Sequence, residues 1–176
     1  MANDLTSDVF ILDTANKIIS AGIIWVKKLI FVPTSAGDSI TFKALNWNGT
    51  AISTKTAQTC TVTGTNTITS TGNFTATDVA GGDIIVISNG TNKGLYLINA
   101  RSNDNTITIH DPALTNEASV SYSWKIFRPT VQIYALAPAT EKMMVDVNFA
   151  PPHRFYGLAL TDITGTCYLY RHQFGG

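Results

Sequence analysis

Apolar and polar residues alternate along this chain in short runs broken by Gly, Pro, Asn and Asp, the texture of β-strands joined by turns. In the first third, residues 9–12, 17–20, 23–32 and 39–45 read as strands, separated by Ala15-Asn16, Ala21-Gly22 and a loop over 33–38. Segment 23–32 is apolar on both sides. Ile24, Val26, Ile30 and Val32 share one face with Lys28, while Ile23, Trp25, Leu29 and Phe31 share the other with Lys27. Such a strand is expected to be covered twice, by its own core and by a neighbouring domain or subunit.

Between 59 and 71 every second residue is Thr, with Cys60, Val62 and Ile68 on the opposite side. Period two means extended backbone, and Gly64-Thr65-Asn66 is expected to fold the run into a hairpin with a solvated Thr face. An ice-binding array would need such ranks on several stacked strands, and only one run is present. Strands follow at 83–88, 94–100, 105–110 and 119–128, joined by turns at 89–92 and 102–104 and a loop at 111–118. Beyond Pro129 the pattern predicts strands at 131–136, 143–149, 155–161 and 166–171, broken at Pro138, Pro151-Pro152 and Gly165, with room for one helical turn within 135–145. Residues 162–165 read as a short hairpin connection, which would set Phe155 and Tyr156 across from Tyr168 and Tyr170. The whole predicts an all-β chain: a jelly-roll-like β-sandwich from 1–57 and 129–176, with 58–128 inserted as a small β-barrel.

Composition sharpens this picture. In 176 residues only 14% are charged, against roughly 25% in ordinary domains, and Thr, Ser, Asn and Gly supply the polarity instead. Lys plus Arg and Asp plus Glu stand at 12 each, so no net charge draws the chain to nucleic acid or an anionic membrane, and little keeps copies apart. The apolar run 23–32 is too short for a membrane helix, and the first residues lack the basic and apolar segments of a secretory signal, so synthesis in the cytoplasm is expected. Cys60 and Cys167 are too few for a disulfide framework, and whether they pair is left open.

The chemistry-bearing residues form no recognisable constellation. His110, His153 and His172 have no metal-ligand spacing and read as strand-edge residues. No nucleophile elbow, phosphate loop or His-Glu-x-x-His helix occurs, and nothing selects an acid pair among Asp38, Asp83, Asp111, Glu117, Glu141 and Asp146. Residues 102–105 lack the ligand alternation of a calcium loop, and the three Asn-x-Thr triplets at 48, 73 and 89 read as turns. No catalytic residue, metal ligand or cofactor is therefore assigned. Trp25 and Trp124 lie in strands and are expected to pack inward, whereas Trp47, in Asn46-Trp47-Asn48-Gly49, is expected to be partly exposed. The candidate interface residues are Trp25, Lys27 and Phe31 on the two-sided strand, together with Trp47.

The segments Val79-Ala80-Gly81-Gly82-Asp83-Ile84-Ile85-Val86, Asn92-Lys93-Gly94-Leu95-Tyr96-Leu97-Ile98 and Asn105-Thr106-Ile107-Thr108-Ile109 make sense as three consecutive meander strands. In that order they resemble small β-barrel modules of tailed-bacteriophage virion proteins. The outer part is similar to phage virion proteins through Ala36-Gly37-Asp38-Ser39-Ile40-Thr41-Phe42-Lys43, Phe155-Tyr156-Gly157-Leu158-Ala159-Leu160 and Gly165-Thr166-Cys167-Tyr168-Leu169-Tyr170. The resemblance implies a non-enzymatic virion component, foremost a capsid decoration (cement) protein. Its partners would be the major capsid protein or other virion proteins, and it would form a homo-oligomer such as a trimer. A tail, connector or fibre-associated protein and a host-glycan-binding β-module are the alternatives, and a small β-fold hydrolase would need an acid pair that the sequence does not display.

Overall fold

In a computed structural model, which describes residues 8–110 and 114–172, the chain divides into two compact units. One comprises Met1–Ala44 and Thr130–Gly176, the other Leu45–Pro129. All regular structure among the described residues is strand. The outer unit contains β1 (Val9–Leu12), β2 (Lys17–Pro33), β3 (Ser39–Ala44), β10 (Thr130–Leu136), β11 (Val145–Ile163) and β12 (Gly165–Arg171). The inserted unit contains β4 (Ser53–Thr63), β5 (Thr67–Thr69), β6 (Ile84–Ile87), β7 (Gly94–Asn103), β8 (Thr106–Ile109) and β9 (Glu117–Phe127).

The outer strands form one antiparallel sheet in the order β1-β12-β2-β11-β3-β10. Its long members β2 and β11 slip register repeatedly, at Asn148/His153, Tyr156/Leu158 and Leu158/Ala159 along β11, and each slip bends the pair. One core cluster draws on both edge strands, Phe10 and Leu12 from β1 and Ile133 and Ala135 from β10, around Leu29, Phe31, Phe42, Leu160 and Leu169. The sandwich-like arrangement is thus a single bent sheet packed on itself.

These slips correct several sequence expectations. Ala21-Gly22 is not a turn: β2 runs unbroken from Lys17 to Pro33, and the four residues from Ser20 to Ile23 face three on β11, from Tyr156 to Leu158, so the cue marks a bulge. Pro151-Pro152 likewise sits inside β11, in a stretch where Asn148 to His153 spans only Lys28 to Val26 of β2. A further bulge falls at Lys27, where the neighbours Tyr170 and Arg171 of β12 face Lys28 and Val26. The inward set therefore changes from Ile24 and Val26 to Leu29 and Phe31. Both faces of 23–32 are apolar because each takes its turn against the same core. The pattern on this strand therefore needs no second covering layer to account for it, and residues 137–144 hold no helical turn.

The predicted hairpin at 162–165 is also replaced. β11 and β12 do not pair; β2 lies between them. The end of β11 leaves β2 for β3, with Ile163 opposite Ile40, and β12 begins at Gly165 opposite Pro33. Thr164 is the corner, its N–H donating to the Ser39 carbonyl at 3.1 Å. Tyr156 consequently faces Ile23, while Tyr168 and Tyr170 face Ile30 and Lys28.

The inserted strands close into a barrel in the order β4-β5-β8-β7-β6-β9, with β4 pairing β9. The β6–β7–β8 meander and the β4–β5 hairpin, Thr63 opposite Thr67, fall where the sequence put them. Cys60, Val62 and Ile68 point into the barrel with Phe74, Tyr122 and Trp124, and the Thr face lies outside. The insertion is longer than expected at its start, because β4 begins at Ser53 and pairs β9 from there, Ser53 opposite Ile126. Ala57, at φ 52°, is the bulge that hides this: Thr54 and Thr56 before it and Thr59 and Thr61 after it all face outward, so the period-two phase shifts by one.

Candidate interaction surfaces

Of the carboxylates weighed as an acid pair, Asp38, Asp83, Glu117 and Asp146 each serve a separate structural purpose. Asp38 accepts the Ser35 N–H at 2.6 Å and closes its loop. Asp146 pairs with Lys28 at 2.7 Å. The buried Asp83 carboxylate takes a bidentate grip from Arg128, Nε at 2.9 Å and Nη2 at 2.8 Å, and also accepts the Ala80 N–H at 2.8 Å. This explains the Gly-Asp strand start: it ties the entry of β6 to the exit of β9, with Ile84 opposite Phe127. Glu141 lies exposed, and Asp111 lies outside the described residues.

Glu117 belongs to a network that locks the barrel. The Tyr122 hydroxyl donates to Glu117 Oε2, and the buried Asn92 donates to the same oxygen at 2.9 Å and to the Tyr122 oxygen at 2.7 Å. Asn92 also brackets Thr115, donating to its carbonyl at 2.8 Å and accepting its N–H at 2.7 Å, so that of its two amide hydrogens one serves Thr115 and the other is shared between Glu117 and Tyr122. Burial, then the bond to Glu117, pushes the Tyr122 hydroxyl up to about 12, and the Tyr122 bond foremost holds the Glu117 carboxyl below its ordinary value. The signs differ. The Tyr122 contribution is complete below its unfolded value near 10 and is lost as pH rises through about 12, whereas that of Glu117 is complete above its unfolded value and is lost as pH falls below it. Denaturant titrations across pH are therefore expected to show an alkaline loss that Tyr122→Phe reduces between about pH 10 and 12, the remainder coming from Tyr96 and the two buried thiols, which burial also holds in their neutral forms. A Tyr122→Phe variant with an unchanged alkaline limb would contradict the assignment.

The remaining reactive groups are quiet by position. Cys60 and Cys167 are free thiols, each buried in the core of a different unit, and burial pushes both up, toward the neutral form. His153 packs its ring against Phe155 at 4.6 Å. Among the described residues no three His, Cys, Asp or Glu side chains group as metal ligands, and no helix is long and apolar enough to cross a membrane.

The candidate interface residues separate. Phe31 is 0% exposed in the outer core and presents nothing to a partner, a consequence of the Lys27 bulge. Lys27 itself is exposed. Trp25 is half-buried opposite Arg154, whose guanidinium lies 5.7 Å from the Trp25 ring centroid and 4.7 Å from that of Tyr156, a stacked cation between two aromatics. Trp47 is exposed as expected but belongs to the barrel unit, not to the sandwich. Trp124 is buried against Phe74, ring centroids 5.5 Å apart.

Sequence reading missed the most open apolar surface. Among the described residues β10 is an edge strand, paired only to β3. It exposes Val131 at 59%, Tyr134 at 57% and Leu136 at 51%, while Ile133 and Ala135 point into the core. The loop that leaves it exposes Met143 and Met144. Edge strands are ordinarily guarded by charge, Pro or brevity. The other edge, β1, has four residues flanked by the Asp8–Arg171 ion pair, but β10 contains neither a charged residue nor Pro over its seven. The signal was present in the sequence, an uncharged stretch from Pro129 to Thr140, though nothing there told edge from interior.

Comparison with family models, curated proteins and solved structures finds no match to the chain.

Proposed function

We propose that the chain is a structural component of a tailed-bacteriophage virion, foremost a capsid decoration protein that stabilises the head shell by association through β10. The observation that carries this reading is the unguarded edge: a strand side that no other described strand pairs, beside exposed Val131, Tyr134 and Leu136. Backbone pairing supplies register and the apolar side chains supply burial, each worth about 1.5–3 kcal/mol when fully covered. Symmetry then multiplies modest contacts. The equal charge totals leave little long-range repulsion between copies, and the strand motifs shared in texture with virion proteins favour a particle as the setting.

Fractionation of purified particles tests this. The chain is expected in intact virions, at copy numbers comparable with the major shell protein and released by treatments that strip the head surface. Recovery only in the soluble fraction of infected cells would overturn the reading, and recovery with detached tails would move the protein from shell to tail.

A further inference from the structure

The barrel carries a groove of about 360 Å³ on its outer wall. Its floor is laid by β4, β9 and β6. In one cross-strand row, Lys125 stands between Thr54 and Val86, paired in register with both. Beside it Ser123, Thr56 and Ser88, the last just past β6 and bound to Ser123, line the groove with three hydroxyls. Trp47, 37% exposed, forms an aromatic wall.

The hydroxyl set is built rather than incidental. Ala57 takes a left-handed conformation, φ 52°, which a non-glycine residue adopts only at a cost. That conformation aims the Ala57 N–H at Ser123 Oγ, 3.0 Å away, and leaves the Ser123 proton for an incoming acceptor. Ser88 is bound to the same strand, its Oγ donating to the Ser123 carbonyl at 2.9 Å. Of the two lysines, Lys55 is engaged by Asp78 at 3.6 Å, whereas Lys125 has no ion pair among the described residues.

We infer that this groove binds a pyranose bearing a carboxylate. A pyranose has an apolar face that stacks on an indole and an equatorial rim of hydroxyls that exchange hydrogen bonds with Ser and Thr. The carboxylate answers the uncommitted Lys125 ammonium. The inference goes beyond the virion reading and does not depend on β10, since every residue of the groove lies within Leu45–Pro129.

NMR titration of the full chain with methyl β-D-glucuronide and methyl β-D-glucoside tests it. The glucuronide is expected to shift the Trp47 indole resonance and Ser123, with Kd on the order of 1 mM, and the glucoside to bind about tenfold more weakly. Lys125→Gln, on an exposed side chain, should bring the two sugars to equal affinity. Trp47→Phe should keep weakened binding of both, and Trp47→Ala should lose it. No Trp47 shift with either sugar, equal affinities in the unaltered chain, or undiminished binding by Trp47→Ala would each overturn the proposal.

Discussion

Gly165→Ala is expected to cost the outer unit about 3–5 kcal/mol, a large share of the stability of an ordinary domain. Gly165 has φ 136°, and a Cβ there would run into the Val32 carbonyl oxygen while standing 3.0 Å from Pro33 Cα and 3.2 Å from the buried Phe31 ring. Two of those three obstacles are backbone of β2, pinned by pairing with β12, so neither can swing aside. The corner at Thr164 depends on this close approach, because β12 must start against β2 immediately after β11 has left it for β3. Chemical denaturation of the variant should show the loss as a lowered midpoint. A loss under about 1 kcal/mol would mean that the corner has been placed wrongly.

Trp124→Ala is expected to cost the barrel about 3–5 kcal/mol, through lost burial and the cavity left behind. The indole is among the largest fully buried side chains and stacks on Phe74, itself 0% exposed. Its Nε1 has no hydrogen-bond partner among the described residues, so the ring contributes by packing alone. Trp124→Phe should therefore cost far less, about 1–2 kcal/mol, since no polar partner is stranded. Equal losses from Ala and Phe would point to an essential bond at Nε1.

Much of the fold was legible because most strands alternate in simple period two between good turn residues. Cys60, Val62 and Ile68 opposite a Thr face, and the three-strand meander after Gly82-Asp83, needed only pleat geometry and turn chemistry. What the sequence concealed were bulges. An extra residue at Lys27 lets Phe31 and Ile24 face the same core although their numbers differ in parity, and alternation alone assigns them to opposite sides. Ala57 hides the start of the insertion by the same device, and Pro151-Pro152 and Ala21-Gly22 read as turns because bulges favour the same residues. The candidate surfaces were legible only in part. Trp47 announced its exposure through its polar neighbours, but β10 became recognisable as an edge only once the strand order was known.

The proposed association through the β10 edge is read by solution mass from light scattering, for the unaltered chain and for a Tyr134→Lys/Leu136→Lys variant. Both side chains point away from the core, so the variant is expected to fold, with an unchanged melting curve as the check. A defined multimer is expected for the unaltered chain and a monomer for the variant. A monomeric unaltered chain at concentrations of about 0.1 mM, or a multimer that the two lysines leave intact, would contradict that association.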